Sequence, residues 1–182
     1  TRLNRRNMRT VMLENIRPEM ASEVLDIRHD AVHNGKAREF YSLDALKYWS
    51  PPPEQKLIDA WAQLWRKSSA AGVIARNAEG YAVGFGILDY TQARIGAIYV
   101  RSSCTGCGTG SVIIRYLEKL ALIRGVQMLS LDASLNAVNF YLRHWYMVNS
   151  IDFFVLPSGE KLPCAKMSKM LSHTKTRPRS TA

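Results

Sequence analysis

The chain has 182 residues, 47% of them hydrophobic and 22% charged, a balance that suits one globular domain large enough to bury a core without disulfides or a structural metal. No run of eighteen apolar residues occurs, the basic start lacks the apolar segment of a signal peptide, and three cysteines are too few for a secreted disulfide framework, so a cytoplasmic protein with no membrane partner is expected. The net charge of +10 concentrates at the ends, with Arg2, Arg5, Arg6 and Arg9 in residues 1–10 and Lys175, Arg177 and Arg179 in residues 172–182. Both ends read as disordered basic tails around a domain at 11–171, with at most a weak electrostatic hold on RNA.

Residues 11–17 read as a first strand, and Pro18 suits the first turn of the helix that follows. Met20, Val24, Leu25, Ile27 and Ala31 give that helix an apolar stripe. His29 and His33 lie one turn apart on it, with Asp30 between them. A zinc-binding H-E-x-x-H pattern would need a longer acid and a third ligand, so two surface histidines and no metal are expected. Residues 35–53 turn aromatic and irregular, with Phe40, Tyr41, Tyr48 and Trp49, and Pro51, Pro52 and Pro53 stop any helix there. Leu57, Trp61, Leu64 and Trp65 mark a second amphipathic helix.

Residues 72–90 read as a hairpin, with strands at 73–76 and 81–88 around a turn at 77–80. A strand at 95–100 extends it to an antiparallel meander. Ile113, Leu117, Leu120 and Ala121 mark a helix, residues 126–133 a strand and residues 136–146 another helix. Strands at 151–156 and 164–170 close the chain around a Pro-Ser-Gly turn. The order predicts an α+β domain with a mixed sheet.

Between the strand at 95–100 and its helix lies a turn with Gly106, Gly108 and Gly110 at alternate positions. Glycine permits φ > 0 and close approach of a ligand, and the amides opening the helix are free to meet an anion. The turn is not a phosphate-binding P-loop, because Ser111 and Val112 follow Gly110 where Lys and Ser or Thr are needed. It is not a dinucleotide fingerprint either, since the spacing is G-x-G-x-G. Cys104 and Cys107 form a single C-x-x-C, which without a second pair reads as filling of tolerant loop positions.

The turn TGCGTG, residues 105–110, and the later stretch SLNAVNFYLRHWY, residues 134–146, together resemble the two signatures of the GNAT superfamily of N-acetyltransferases. The first is that family's coenzyme pyrophosphate loop, Q/R-x-x-G-x-G/A. The second is an Asn and Ala followed by an aromatic-Tyr pair and a Gly-Phe. The resemblance spans residues 11–171 and is strongest over 82–146. Thr105 stands where the family has Gln or Arg, Ser102 where a Pro is frequent, and Trp145 and Tyr146 where it has Gly and Phe.

The resemblance implies a mixed, mostly antiparallel central sheet flanked by helices, with two splayed parallel central strands at 95–100 and 126–133. It implies acetyl-coenzyme A as acyl donor and no metal. Backbone groups near Ile98 and Val100 would pair with the pantetheine arm, and an amide of that strand would hold the thioester carbonyl. Thr105, Gly106, Cys107, Gly108, Thr109, Gly110, Ser111 and Asn136 complete the expected coenzyme site. Residues 35–53 would help build the acceptor site. Tyr141 is the expected general acid, since a phenol of pKa about 10 keeps its proton at neutral pH. The base stays open among a water chain, Asp132 and Glu39, and Asp132 is alternatively a cap for the following helix. The implied reaction acetylates a primary amine of a small molecule or protein. An aminoacyl-tRNA-acetylating toxin and a non-catalytic acyl-coenzyme A sensor are the alternatives, and a homodimer is left open.

Overall fold

The structure, a computed structural model, describes residues 11–171; the two expected tails lie outside them. Strand β1 (Met12–Asn15) leads through a short turn at Pro18–Met20 into helix α1 (Ala21–His33). Helices α2 (Leu43–Trp49) and α3 (Gln55–Lys67) precede a meander of β2 (Ala71–Arg76), β3 (Ala82–Asp89) and β4 (Arg94–Val100). Helix α4 (Thr109–Ile123), strand β5 (Met128–Ser134), helix α5 (Val138–Arg143) and strands β6 (Met147–Val155) and β7 (Lys161–Met170) complete the chain.

Among the described residues the strands form one sheet in the order β1-β2-β3-β4-β5-β7-β6. Neighbours run antiparallel except β4 and β5, which are parallel and share a single registered pair, Arg94 with Ser130. The Ser130 amide donates to the carbonyl of Ala93 at 3.0 Å, and beyond that point the ladder stops. The expected splay of the two central strands is thus present, and it opens toward their C-terminal ends.

Apolar stripes decide the layers. On one face, Met20, Val24 and Ile27 of the first helical segment pack against Ile74 and Phe85. On the other, Ile113, Ile114, Leu117 and Ala121 of α4 cover Val73, Ala75, Val83 and Leu88, with Tyr141 joining them. Gly86 lets α4 approach this closely: a Cβ there would lie 2.4 Å from Ile113 Cγ2. Among the described residues no helix is long and apolar enough to cross a membrane.

Three expectations are corrected here. The stretch at 35–53 is not irregular throughout, because α2 forms within it, capped by Ser42, whose hydroxyl accepts from the Ala45 amide at 3.2 Å. The helix expected at 136–146 divides into a tight turn at Leu135–Ala137 and the shorter α5, and β6 begins at once with Met147. That strand is exposed along its whole length, so it lacks the alternation of a half-buried strand. His29 and His33 are not free surface groups: both donate to the carbonyl of Ser50, at 3.0 and 2.8 Å, and fasten α1 to the end of α2.

Candidate functional site

The parting of β4 from β5 leaves one edge of β4 unpaired. The Arg101 amide donates to Val83 at 2.9 Å, which turns the backbone groups of Arg101 and, two residues earlier, Tyr99 toward β3. By strand alternation, the N–H and C=O of Ile98 and Val100 face the open side. The chain therefore presents a row of donors and acceptors along a slot.

The glycine turn stands at the mouth of that slot. Asp30 on α1 anchors its start, accepting from the Ser102 amide at 2.6 Å and the Ser102 hydroxyl at 3.2 Å. Burial pushes the Asp30 carboxyl up, but the hydrogen bonds from Asn34 and Ser102 outweigh it and hold the pKa below its usual value. The Thr105 hydroxyl donates to the Ser102 carbonyl at 2.8 Å and tightens the same turn. Gly106 and Gly108 then take φ of +77° and +94°, a region where a side chain would strain the backbone. Among the described residues, the amides of Gly106, Gly108, Thr109, Gly110 and Ser111 have no acceptor. They lie at and just before the N-terminus of α4, where the helix dipole favours negative charge. Gly110 serves packing instead, since a Cβ there would meet the Phe140 ring at 3.2 Å. Ser111 Oγ lies 2.9 Å from His144 Nε2. Cys104 is buried in the core and Cys107 is half-buried, both as free thiols. No group of three metal-ligating side chains occurs among the described residues.

Tyr141 and Asn136 belong to the segment after β5. Tyr141 is 6% exposed and packs edge-on against Phe140 and Tyr146. Burial, and then the neighbouring Tyr99 phenol, raise its pKa, so the hydroxyl stays protonated. That hydroxyl has no hydrogen-bond partner among the described residues. Asn136 Oδ1 is likewise buried without a partner.

A cavity of about 230 Å³ lies between the helices of the first half and the sheet, straddling the parting of β4 and β5. Its wall is aromatic, with Tyr41, Trp49, Trp61, Phe85, Tyr99 and Phe154. The Tyr41 hydroxyl donates to the Pro163 carbonyl at 2.7 Å and accepts from the Leu135 amide at 2.8 Å, while Trp49 donates to the Tyr99 hydroxyl at 3.1 Å. These bonds fix the rings. Asp132 lines the cavity, paired with Arg94 at 2.5 Å and Lys166 at 3.1 Å. Burial would raise its pKa, but the two cations outweigh that and lower it, which makes the carboxylate a weak base. The helical turn after Ser134 has no side-chain cap, so Asp132 does not serve as one. Glu39 is exposed and is absent from the cavity wall.

Arg28, Arg94 and Cys164 also line this cavity and escape a reading of the sequence alone. For Arg28 a signal exists, because it follows Val24 and Leu25 at helical spacing on a face that turns inward. Arg94 and Cys164 carry no local signal; their place depends on which strands become neighbours.

The family model described as the acetyltransferase (GNAT) family matches residues 29–145, well over half of the chain. Among solved structures, a GCN5-related N-acetyltransferase from Rhodopseudomonas palustris is similar, with 28% identity, a TM-score of 0.78, and 89% of this chain and 96% of that one covered. An N-acetyltransferase from Thermoplasma acidophilum, solved with coenzyme A, shares the fold at 14% identity and a TM-score of 0.64, covering 88% and 99% of the two chains. An acetyltransferase from Salmonella typhimurium, solved with acetyl-coenzyme A, does so at 15% and 0.63, covering 90% and 95%. No match is found among curated protein sequences.

Proposed function

The chain belongs to the GNAT family of acetyltransferases, and from that premise we propose that it moves an acetyl group from acetyl-coenzyme A to the primary amine of a small molecule. The observation that carries the reading is the parting of β4 and β5 after Arg94 and Ser130, with the unpartnered amides of residues 106 and 108–111 at its mouth. Those amides and the α4 dipole suit a pyrophosphate. The open edge at Ile98 and Val100 suits the amide-bearing pantetheine arm, and the orphaned Asn136 Oδ1 suits a donor of that arm. Relatives of this fold solved with coenzyme A and acetyl-coenzyme A support the same donor.

Bound acetyl-coenzyme A supplies an acetyl group activated as a thioester. The chain's own part is to orient it, exclude water and manage protons. The aromatic cavity stands where an acceptor would meet the slot. Tyr141, kept protonated by burial, is the proposed donor of a proton to the departing thiolate. Asp132 is proposed as the anchor of Arg94 and Lys166 rather than as the base. The size of this cavity suits a small acceptor.

The test is titration of acetyl-coenzyme A together with thiol release against a panel of amines. Gly108→Val places a branched side chain at φ +94° in the amide cluster. Coenzyme affinity is expected to fall at least tenfold, about 1.4 kcal/mol. Unchanged affinity in a variant that melts like wild type would return the loop to a purely structural turn. Coenzyme binding without thiol release on any amine would favour the sensor.

A further inference from the structure

The cavity contains a cation that no carboxylate among the described residues neutralises. Arg28 reaches its wall from α1. One Nη donates to the Trp49 carbonyl, and Nε is buried with no acceptor among the described residues. The other partly buried arginines among the described residues each hold a carboxylate: Arg76 holds Glu14 and Glu23, Arg94 holds Asp132, and Arg101 holds Asp26. Among the described residues Arg28 has no carboxylate in ion-pair contact. A guanidinium carries five N–H donors, so one carbonyl leaves most of them and the whole charge unanswered. Withdrawing such a group from water is costly unless an anion compensates it.

The rest of the wall narrows the ligand. Its one carboxylate, Asp132, is already held by Arg94 and Lys166. No free carboxylate remains there to pair with a polycation, which disfavours polyamines and aminoglycosides. Much of the remaining wall is aromatic or aliphatic, including Trp49, Trp61, Phe85 and Leu25. A volume of about 230 Å³ has room for a small acceptor of amino-acid size.

We propose that Arg28 receives the carboxylate of the acceptor, and that the acceptor is a small amino acid-like amine with an apolar or aromatic body. This rests on the acetyl-transfer reading of the same site. The planar guanidinium matches a carboxylate through paired N–H bonds. The surplus positive charge also lowers the pKa of a bound amine, which helps supply a neutral nucleophile where no free carboxylate acts as base.

The test compares thiol release with L-phenylalanine and L-methionine against their carboxamides. Wild type is expected to favour each acid by at least tenfold in kcat/KM. Arg28→Met is expected to bring that ratio toward one, chiefly through KM, and Arg28→Lys to retain part of it. In parallel, 3-phenylpropionate, which has no amine, is titrated into the protein saturated with coenzyme A. Binding is expected in wild type and at least tenfold weaker in Arg28→Met. Equal rates for acid and amide in wild type, or an unchanged ratio in Arg28→Met, overturns the proposal. Arg28-dependent binding of 3-phenylpropionate without turnover of any amine preserves the anion site and overturns acetyl transfer instead. If Arg28→Met does not fold, the wild-type pairs and Arg28→Lys decide.

Discussion

Tyr141, the proposed proton donor, is kept protonated by its surroundings. Its ring is fixed by Phe140 and Tyr146, while its hydroxyl has no protein partner among the described residues. Removing that oxygen therefore breaks no internal hydrogen bond. Tyr141→Phe is expected to melt within a degree or two of wild type and to bind the coenzyme as well. The chemical step is expected to slow by ~10²–10⁴-fold, in kcat and kcat/KM alike, because the proton is delivered only in the transition state. The loss should shrink for an acyl donor with a better leaving thiol. Near-normal turnover would remove Tyr141 from the mechanism. The residues around His29 carry the opposite lesson. A pattern that faintly suggests metal is two hydrogen bonds to Ser50 and a carboxylate that anchors the glycine turn.

The end of α5 explains a departure from the family signature at the level of an element. The Tyr146 amide reaches back to the Tyr141 carbonyl at 3.1 Å, and Trp145 amide to Leu142 at 3.0 Å, a helix end that needs one left-handed residue. That residue is Trp145, with φ of +66° and 82% of its surface exposed. The family's glycine is the residue that takes this conformation without strain. A left-handed non-glycine residue costs ~1–2 kcal/mol, partly offset because glycine loses more backbone entropy on folding. Trp145→Gly is expected to stabilise the protein by about 0.5–1 kcal/mol, read as a raised denaturation midpoint at constant slope. Destabilisation would mean that the exposed indole makes contacts that outweigh the strain. Tyr146, by contrast, is buried where the family has Phe, with its hydroxyl near the Glu118 carboxylate.

For the whole molecule, pH tests the charge pairs that hold the two halves around the site. Asp30 and Asp132 have lowered pKa values in the fold, so their stabilisation is complete above the unfolded value, about 3.9, and is lost as pH falls through the folded values. His144, lowered by burial, acts in the same sense from about pH 6.5 downward, because the unfolded state binds its proton first. Thermal melts are expected to fall gently below pH 6.5 and steeply below pH 4, and Asp132→Asn is expected to flatten the steep limb while lowering stability at pH 7. A steep limb unchanged in Asp132→Asn would show that the Arg94 and Lys166 pairs contribute nothing. The sequence by itself determined the local parts: the meander, the glycine turn, the helix after it, and the Asn136 and Tyr141 signature. Each depends on neighbours a few positions away, through backbone conformation and apolar period. The cavity was decided only in three dimensions. Tyr41 meets Pro163 across 122 positions, Arg94 meets Asp132 across 38, and Arg28 meets Trp49 across 21. No local period encodes such pairings, because they arise from which strands become neighbours and where β4 and β5 part.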